Sequence, residues 1–350
     1  MKKKILAGIF AGLMALNIFS DVNAATRAEI AAINVKRPAD FNYWEKNSSV
    51  KNQIVNYVKD VTNKNSKNFI PVEDRIAVFD MDGTFYCETA PEATGYMFVL
   101  STILKNPPPT ITQEYRDKAK IWFEDILKKN IDEDFKKYSW TIYEGMTDEE
   151  LETRLKHFMT TQNVYGLSNL KYGESFYLPM VEMISYLKAN NFTVYVITGS
   201  HVTLARILCN DAVDVQPNNI IGAYIPYTFE NNVGEKYFVK GDRLLLSGNS
   251  AGSNTHINKI YSIKREIGKR PVLAFGNSMG DADMLNYTLA DNKYKSAAFV
   301  VICDDFHREL GNQKLADTML AAAQKNNWKT ISMKNDFKTI YGNSVKLSGK

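Results

Sequence analysis

The sequence is short of the residues that build disulfide frameworks and soft-metal sites. Its 350 residues include only four histidines and three cysteines, Cys87, Cys209 and Cys303. No two of these cysteines have the Cys-x-x-Cys spacing that is typical of a zinc or redox pair. This argues against a zinc site and against a disulfide scaffold. We interpret the cysteines as small buried thiols, with one disulfide or none, a choice that the sequence leaves open.

An excess of one charge is lacking as well. Lysine and arginine number 43 and aspartate and glutamate 39, so the formal net charge is +4 at pH 7. Nucleic-acid-binding domains usually carry a strong basic patch, and this even balance predicts no nucleic-acid partner. Apolar residues make up 45% of the chain, which is ample for one large domain or two modest ones.

Long apolar runs are missing except near the N-terminus. Lysines at 2–4 precede an apolar run at 5–19, and a small-residue cleavage signal ends at Ala24. This order is typical of a secretory signal peptide, so we expect residues 1–24 to be removed and the mature chain to be periplasmic or secreted, without a membrane partner. A single membrane anchor is the alternative, but the run is short and interrupted by glycine and asparagine.

Most of the interpretation depends on one stretch. The apolar run at 76–79 ends abruptly in Asp-Met-Asp-Gly-Thr at 80–84, which predicts a buried strand that delivers two carboxylates to its carboxyl end. Two later predicted strands also end in polar segments, Thr-Gly-Ser at 198–200 and Gly-Asn-Ser-Met-Gly-Asp at 276–281. The carboxyl ends of parallel strands share one edge of a sheet, so we expect the three segments to converge.

From residue 178 onward, helical and strand patterns alternate along the chain. This predicts a Rossmann-like three-layer α/β/α core with a mostly parallel sheet that is covered on both faces. We expect Ser200 to cap the helix that follows it. Residues 220–229 and 237–239 are predicted to form a β-hairpin, and the polar tail from Trp328 to lie on the surface.

The sheet pattern is interrupted by about ninety residues with helical periodicity and a capping box at 147–150. We therefore predict a helical cap domain at 86–175, inserted into a core formed by 25–85 and 176–350. The aromatic residues of the insertion are expected to form its core. Residues 25–63 are predicted to be a helical extension packed on the main domain.

The expected site combines carboxylates, a hydroxyl group and a polar loop. Such a set can bind a phosphate group and a divalent cation. Carboxylate and carbonyl oxygens are hard ligands that favour Mg²⁺, which we expect as the cofactor, and no histidine or cysteine cluster favours zinc. A carboxylate attacks a dianionic phosphate slowly unless a cation screens the repulsion. A second acid can protonate the leaving group if its neighbours raise its pKa.

These ordered motifs, with an insertion between the first and the second, resemble the haloacid dehalogenase superfamily of phosphatases. The position of the insertion is similar to that in its phosphoserine phosphatase-type and phosphorylcholine phosphatase-type branch, and the resemblance covers residues 72–305 or so. It implies that Asp80 is the nucleophile that forms an aspartyl-phosphate. It also implies that Asp82 acts as acid and then as base, that the Asp82 carbonyl binds Mg²⁺, and that Thr198 binds phosphoryl oxygens.

Further site residues follow from the motifs and from the resemblance. The backbone N–H groups around Gly83, Thr84 and Gly199 are expected to cradle the phosphoryl oxygens. The resemblance implies a lysine ahead of the last motif. Lys259 fits best from the apolar spacing after it, and Lys264 is the rival.

The last motif departs from the family pattern. The family usually has Gly-Asp where this chain has Gly276-Asn277, and Asp281 supplies the later acid. The expected metal ligands are therefore Asp80, Asp82, Asn277 and Asp281. Asparagine offers a carbonyl oxygen but no charge, so we expect weaker metal binding than at a fully acidic site.

Substrate choice is expected to come from the cap, which would close over the site and exclude water. Glu88 resembles the glutamate by which phosphoserine-type enzymes meet the substrate's amino group. With nearby tyrosine and tryptophan it could also hold a quaternary ammonium by cation–π contact.

The expected function is that of a phosphoric monoester hydrolase acting on a small phosphorylated metabolite, phosphoserine or phosphorylcholine-like. A noncatalytic periplasmic binding protein for a phosphorylated ligand is the alternative, and Asn277 is the feature that favours it. The oligomeric state stays open.

Overall fold

The computed structural model describes residues 24–88, 94–109, 111–127, 133–230, 237–250 and 252–348. Residues 1–23 of the predicted signal peptide and the predicted hairpin turn at 231–234 lie outside the described residues. In the ranges that are described, no helix is both long and apolar enough to cross a bilayer.

A six-stranded parallel sheet forms the centre of the molecule. From one edge to the other its strands are β4 (Ile220–Ala223), β3 (Thr193–His201), β1 (Ile76–Phe79), β7 (Leu273–Gly276), β8 (Ala297–Ile302) and β9 (Lys329–Ser332). Two small antiparallel pairs are β2 (Leu167–Ser168) with β10 (Lys346–Leu347) and β5 (Tyr227–Phe229) with β6 (Leu244–Leu246). The predicted Rossmann-like α/β fold is confirmed.

Helices surround the sheet and fill the insertion. In chain order they are α1 (Arg27–Ala31), α2 (Ser49–Thr62), α3 (Thr94–Lys105), α4 (Gln113–Leu127), α5 (Glu133–Tyr138), α6 (Asp148–Thr161), α7 (Leu178–Ala189), α8 (Val202–Cys209), α9 (Ile257–Ser262), α10 (Ala282–Leu289), α11 (Gln313–Asn326) and α12 (Met333–Asp336). A π-helical turn, Ile263–Ile267, extends α9.

Both faces of the sheet are buried, as the apolar run of β1 indicates. Ala77 and Phe79 belong to one core with residues of α2 and α7. Ile76 and Val78 belong to a second core with residues of α10 and α11. Successive residues of a strand point to opposite faces, so a strand covered on both sides has a continuous apolar sequence.

Three phenylalanines lie side by side on the neighbouring strands β1, β7 and β8. Phe79 pairs in register with Phe275, and Phe275 with Phe299. The ring centroids are 4.2 Å and 5.0 Å apart, and the rings are nearly parallel. Since Asp80 is the next residue of the chain, this stack stabilises the register of the strand end that carries it.

The insertion leaves and rejoins the core through two paired segments. Tyr86 forms an antiparallel bridge with Phe176. The Cys87 N–H donates to the Ser175 carbonyl at 2.9 Å, and the Tyr86 hydroxyl donates to the Tyr172 carbonyl at 2.6 Å. Helices α3 to α6 lie between these crossing segments. The division into core and cap at 86–175 stays a prediction, and these contacts lie at its two boundaries.

Two local predictions are wrong. The tail after Trp328 does not lie on the surface, because Trp328, Phe337 and Tyr341 are buried and β9 is the sixth strand of the sheet. An edge strand keeps part of its residues exposed, so its sequence is more polar than that of β1. The predicted hairpin is divided differently: β4 joins the large sheet beside β3, and β5 pairs with β6.

The N-terminal extension is fastened to α7. Glu182 accepts hydrogen bonds from the backbone N–H groups of Asn42 at 2.7 Å and Tyr43 at 3.0 Å. Trp44 is 2% exposed, and its Nε1 donates to the Pro179 carbonyl at 2.7 Å. The extension therefore contributes a buried anchor to the main domain.

We expect Trp44→Phe to lower the free energy of unfolding by about 1–3 kcal/mol, because the Pro179 carbonyl loses its donor and the smaller ring leaves a void. Urea denaturation followed by circular dichroism measures the change. Tyr165→Phe, at an exposed aromatic residue, is the control and should stay within about 0.5 kcal/mol of wild type. Equal stability of Trp44→Phe and wild type would show that the anchor contributes nothing.

Candidate active site

The three polar segments meet at one edge of the sheet. Asp80 directly follows β1, Thr198 lies in β3, and Asn277 directly follows β7. These strands are neighbours, with β1 in the middle, and the Asp80 N–H continues the ladder by donating to the Phe275 carbonyl at 2.9 Å. The expected convergence is therefore present.

A lysine from α9 joins these strand ends. Lys259 Nζ donates to Asp80 Oδ1 at 2.6 Å, to Asp281 Oδ1 at 2.7 Å and to the Ile197 carbonyl at 2.7 Å. Its side chain is 2% exposed, whereas Lys264 is exposed on the following turn. The geometry places Lys259, and not its rival, beside the predicted nucleophile.

In this cluster, burial and the neighbouring charges of opposite sign shift the pKa values in opposite directions. Burial and the neighbouring Asp281 raise the pKa of Asp80, and Lys259 lowers it. Burial by itself would lower the pKa of Lys259, but the Asp281 and Asp80 carboxylates outweigh burial and raise that pKa. The ammonium therefore stays protonated, since it compensates two buried carboxylates.

The Asp82 side chain is held by two hydroxyls of β3. Its Oδ2 accepts from Ser200 Oγ at 2.6 Å and from Thr198 Oγ1 at 3.4 Å. Its Oδ1 is buried and has no hydrogen-bond partner among the described residues. Burial raises the pKa of Asp82, which favours the protonated form that a leaving-group acid needs. The Thr198 hydroxyl thus contacts Asp82 where we expected a phosphoryl contact.

The expected phosphate cradle is also arranged differently. The Gly83 N–H donates to the Tyr86 carbonyl at 2.7 Å and the Thr84 N–H to the Met81 carbonyl at 3.1 Å, so both donors close the turn after β1. The Thr84 hydroxyl donates to Asp80 Oδ2 at 3.2 Å. Thr84 therefore contacts the carboxylate of the predicted nucleophile in this structure.

Asp281 braces the loop after β7. Its Oδ2 accepts from the backbone N–H groups of Asn277 at 3.0 Å and Ser278 at 3.1 Å, and its Oδ1 accepts from Lys259. Asp281 is 1% exposed. Both carboxylate oxygens are engaged by the chain itself, so Asp281 supports the lysine and the loop.

A cavity of about 480 Å³ opens on these groups. Its polar end is lined by Asp80, Asp82, Gly199, Ser200, Lys259, Asn277 and Asp281, and Glu88 also lines it. The insertion, the end of β3 and the start of α8 supply a largely aromatic part of the lining, the aromatic wall, with Tyr96, Val99, Trp140, Tyr143, His201 and Leu204. Predicted core and predicted cap therefore both line the cavity.

His201 is the last residue of β3 and part of the aromatic wall. Its ring stacks on Tyr143 at 5.5 Å and meets Trp140 edge-on at 6.2 Å. It is 5% exposed, and in the part of the chain that the structure describes its Nδ1 has no hydrogen-bond partner. Burial, with a smaller effect of Arg206, lowers its pKa to about 4. The imidazole is therefore uncharged at neutral pH.

The donor set fits Mg²⁺. Within the described ranges no three histidine, cysteine, aspartate or glutamate side chains are arranged to hold a metal, so carbonyl and amide oxygens must contribute. Mg²⁺ accepts such a set, since it binds one or two carboxylates and keeps waters and phosphate oxygens. The Asp80 carboxylate and the Asn277 amide both line the cavity and are buried. They and the Asp82 carbonyl would hold the cation. Asp281, the fourth expected ligand, has both carboxylate oxygens bonded by Lys259 and by the loop after β7.

Sequence reasoning missed the contact of Ser200 with Asp82. We expected Ser200 to cap α8, but β3 continues through His201 and the Ser200 hydroxyl bonds Asp82 instead. The spacing held a usable signal, because Thr198 and Ser200 are two residues apart and so project from the same face of a strand.

The fold and the site agree with one family. The profile of the haloacid dehalogenase-like hydrolases matches residues 77–286, more than half of the chain. The chain belongs to this family and is a hydrolase of the haloacid dehalogenase superfamily, as its motifs indicated. A search of curated proteins gives no match.

Solved structures match the chain at low sequence identity. A conserved protein of unknown function from Anaerococcus prevotii is 14% identical over 88% of this chain and 97% of its own, with a TM-score of 0.53. A protein of unknown function from Bordetella pertussis is 14% identical, covering 73% of this chain and 97% of its own, with a TM-score of 0.49. A probable phosphoserine phosphatase from Vibrio cholerae is 12% identical, covering 81% and 77%, with a TM-score of 0.35.

We expect His201→Phe to flatten the acid limb of the stability curve. The folded-state pKa of His201, about 4, lies below the ordinary value of 6.5, so its contribution is complete above pH 6.5 and is lost as the pH falls towards 4. The Tm of wild type should therefore fall more steeply over this range than that of the variant. His157→Gln, at an exposed histidine, is the control and should follow wild type. Parallel curves for His201→Phe and wild type would contradict the prediction.

Proposed function

We propose that this chain is an exported, Mg²⁺-dependent phosphomonoesterase that hydrolyses a small phosphorylated metabolite through a phosphorylated Asp80. The observation that carries the proposal is the pairing of two differently held carboxylates at one sheet edge. Asp80 is bonded by Lys259 and Thr84, whereas Asp82 is bonded by Ser200 and Thr198. Two carboxyl groups in different surroundings can have different pKa values, so that one can act as the nucleophile and the other as the proton donor.

In the first step an Asp80 carboxylate oxygen attacks phosphorus, and the bond between phosphorus and the leaving oxygen breaks. Asp82 donates its proton to that oxygen, so the alcohol leaves neutral. Lys259 stays between Asp80 and Asp281 and stabilises the negative charge on this side of the cavity.

In the second step a water molecule attacks the aspartyl-phosphate. Asp82, now a carboxylate, takes the proton from the water, and inorganic phosphate leaves with Asp80 restored. The Ser200 hydroxyl donates to Asp82 Oδ2, so it stabilises the carboxylate that forms after the first proton transfer.

A bound Mg²⁺ would supply the screening that lets a carboxylate approach a dianionic phosphate. Asp82 favours a phosphatase over a dehalogenase, because removal of a halide needs no proton donor to the leaving group. Export is proposed from the N-terminal pattern of basic, apolar and small residues.

The aromatic wall supports a substrate with a cationic head group. Aromatic faces attract an ammonium group, and the neutral His201 adds no repulsion. The cavity-lining cations in the described ranges are Lys259, which is bonded to carboxylates, and Lys136, which pairs with Glu133 at 2.6 Å. Lys259 is thus committed to carboxylates and Lys136 is exposed, so neither forms a buried site for a substrate carboxylate. We therefore rank phosphorylcholine-like esters above phosphoserine.

A noncatalytic binding protein for a phosphorylated ligand is the second candidate, and the uncharged Asn277 is the observation that favours it. Both candidates need the same cavity, so turnover separates them.

Wild type is expected to hydrolyse p-nitrophenyl phosphate with Mg²⁺, and phosphorylcholine with a lower KM than phosphoserine. Asp80→Asn should lower kcat about a thousandfold or more, because the amide cannot act as the nucleophile. Asp283→Asn makes the same change outside the cavity and should keep activity. Turnover by Asp80→Asn would contradict the mechanism. No turnover by wild type over a range of pH and metals would favour the noncatalytic binding protein.

Ser200→Ala is expected to lower kcat about tenfold or more for an alkyl phosphate, since Asp82 loses the hydroxyl that holds it. p-Nitrophenolate leaves with little help from an acid, so its release should be slowed much less. Ser200→Thr keeps the hydroxyl and should restore the alkyl phosphate rate. Equal losses in the rate of the first step, measured as the initial burst of alcohol or p-nitrophenol, would show that Ser200 has no role through the acid.

A further inference from the structure

Glu88 contacts the expected metal ligand Asn277. Asn277 Nδ2 donates to Glu88 Oε2 at 2.5 Å, although 189 residues separate the two along the chain. An ionised carboxylate accepts hydrogen bonds and donates none, so the amide must turn its NH₂ group towards Glu88. The Oδ1 atom of Asn277 is then turned away from Glu88 and is the end of the amide that can bind a cation.

Gly83 provides the space for this contact. A Cβ atom at Gly83 would lie 1.9 Å from Asn277 Nδ2 and 2.4 Å from Glu88 Oε2, closer than side chains approach one another in folded proteins. Its φ of +77° also suits glycine best. Glu88 and Asn277 therefore pack directly on the backbone that follows Asp82.

The backbone of Asn277 is held as firmly as its side chain. Its N–H donates to Asp281 Oδ2 at 3.0 Å, and the residue is 6% exposed. With one end fixed by Asp281 and the other by Glu88, the amide has little freedom to rotate. Its oxygen is thus presented in one orientation.

We propose that Glu88 and Asn277 act as one composite metal ligand, in which Asn277 supplies the oxygen and Glu88 supplies the negative charge and the orientation. An aspartate at position 277 would combine both properties in one side chain. Here they are divided between two residues that touch, and the site keeps the charge that asparagine by itself would remove.

This inference rests on the proposed function in its Mg²⁺ dependence. It replaces our expectation of a weakened metal site, and it makes Glu88 a positioning residue that acts on the cation through Asn277. A contact of Glu88 with the head group of the substrate would predict a change in KM and no change in Mg²⁺ binding.

Calorimetric titration of the purified protein with Mg²⁺ alone tests the proposal without any turnover. Glu88→Gln keeps the shape and an acceptor but removes the charge, and should raise the Kd for Mg²⁺ about tenfold. Glu88→Ala removes the contact as well and should raise it further, towards about a hundredfold. Glu174→Gln removes a charge from a similarly half-buried glutamate outside the cavity and should leave the Kd unchanged.

The double variant Asn277→Asp with Glu88→Gln moves the charge back to position 277. Its Kd should return to within about threefold of wild type, since the combined charge of the pair is restored. Asn277→Asp by itself puts two carboxylates in contact, so it should lower the Tm without Mg²⁺ and enlarge the Tm increase on adding Mg²⁺.

An unchanged Kd in Glu88→Gln, with wild type binding Mg²⁺, overturns the inference and leaves the proposed function standing. A double variant that binds no better than Glu88→Gln also overturns it. A wild-type protein that binds no Mg²⁺ and hydrolyses no phosphate ester overturns both proposals.

Discussion

The buried ammonium of Lys259 is the interaction on which the site depends. It donates hydrogen bonds to the Asp80 and Asp281 carboxylates and to the Ile197 carbonyl. These bonds hold α9 against the end of β1, against β3 and against the loop after β7. Charges removed from water are unfavourable unless each is compensated, so these segments must keep their relative positions. The chemistry proposed for Asp80 requires the same arrangement.

The two carboxylates at the end of β1 differ because their neighbours differ. Asp80 faces the ammonium, whereas Asp82 faces hydroxyls of β3, and burial raises the pKa of both. The phenylalanine stack below them stabilises the strand register, so small changes in the core would move both acids together. The cavity beside these acids combines polar and aromatic lining residues.

Much of this organisation was predictable from local patterns. The abrupt change from apolar to acidic residues at Asp80 located β1 and its carboxyl end, and the apolar spacing after Lys259 selected the lysine that contacts Asp80. Other features were not predictable. Thr198 and Ser200 are hydroxyl residues that suit a phosphate contact or a helix cap equally well, and β9 is polar because it is an edge strand.

The sequence by itself determined the α/β fold, the superfamily and the pair of acids, because these depend on periodicity and on short motifs within one segment. Only the tertiary structure decided which oxygen of each carboxylate is bonded, that Asp281 braces a loop, and that Glu88 meets Asn277. Such contacts join segments that are far apart in the chain. The side chains take up these orientations only in the folded protein, because burial leaves each polar group one available hydrogen-bond partner. A local sequence pattern therefore does not predict which partner a polar group bonds.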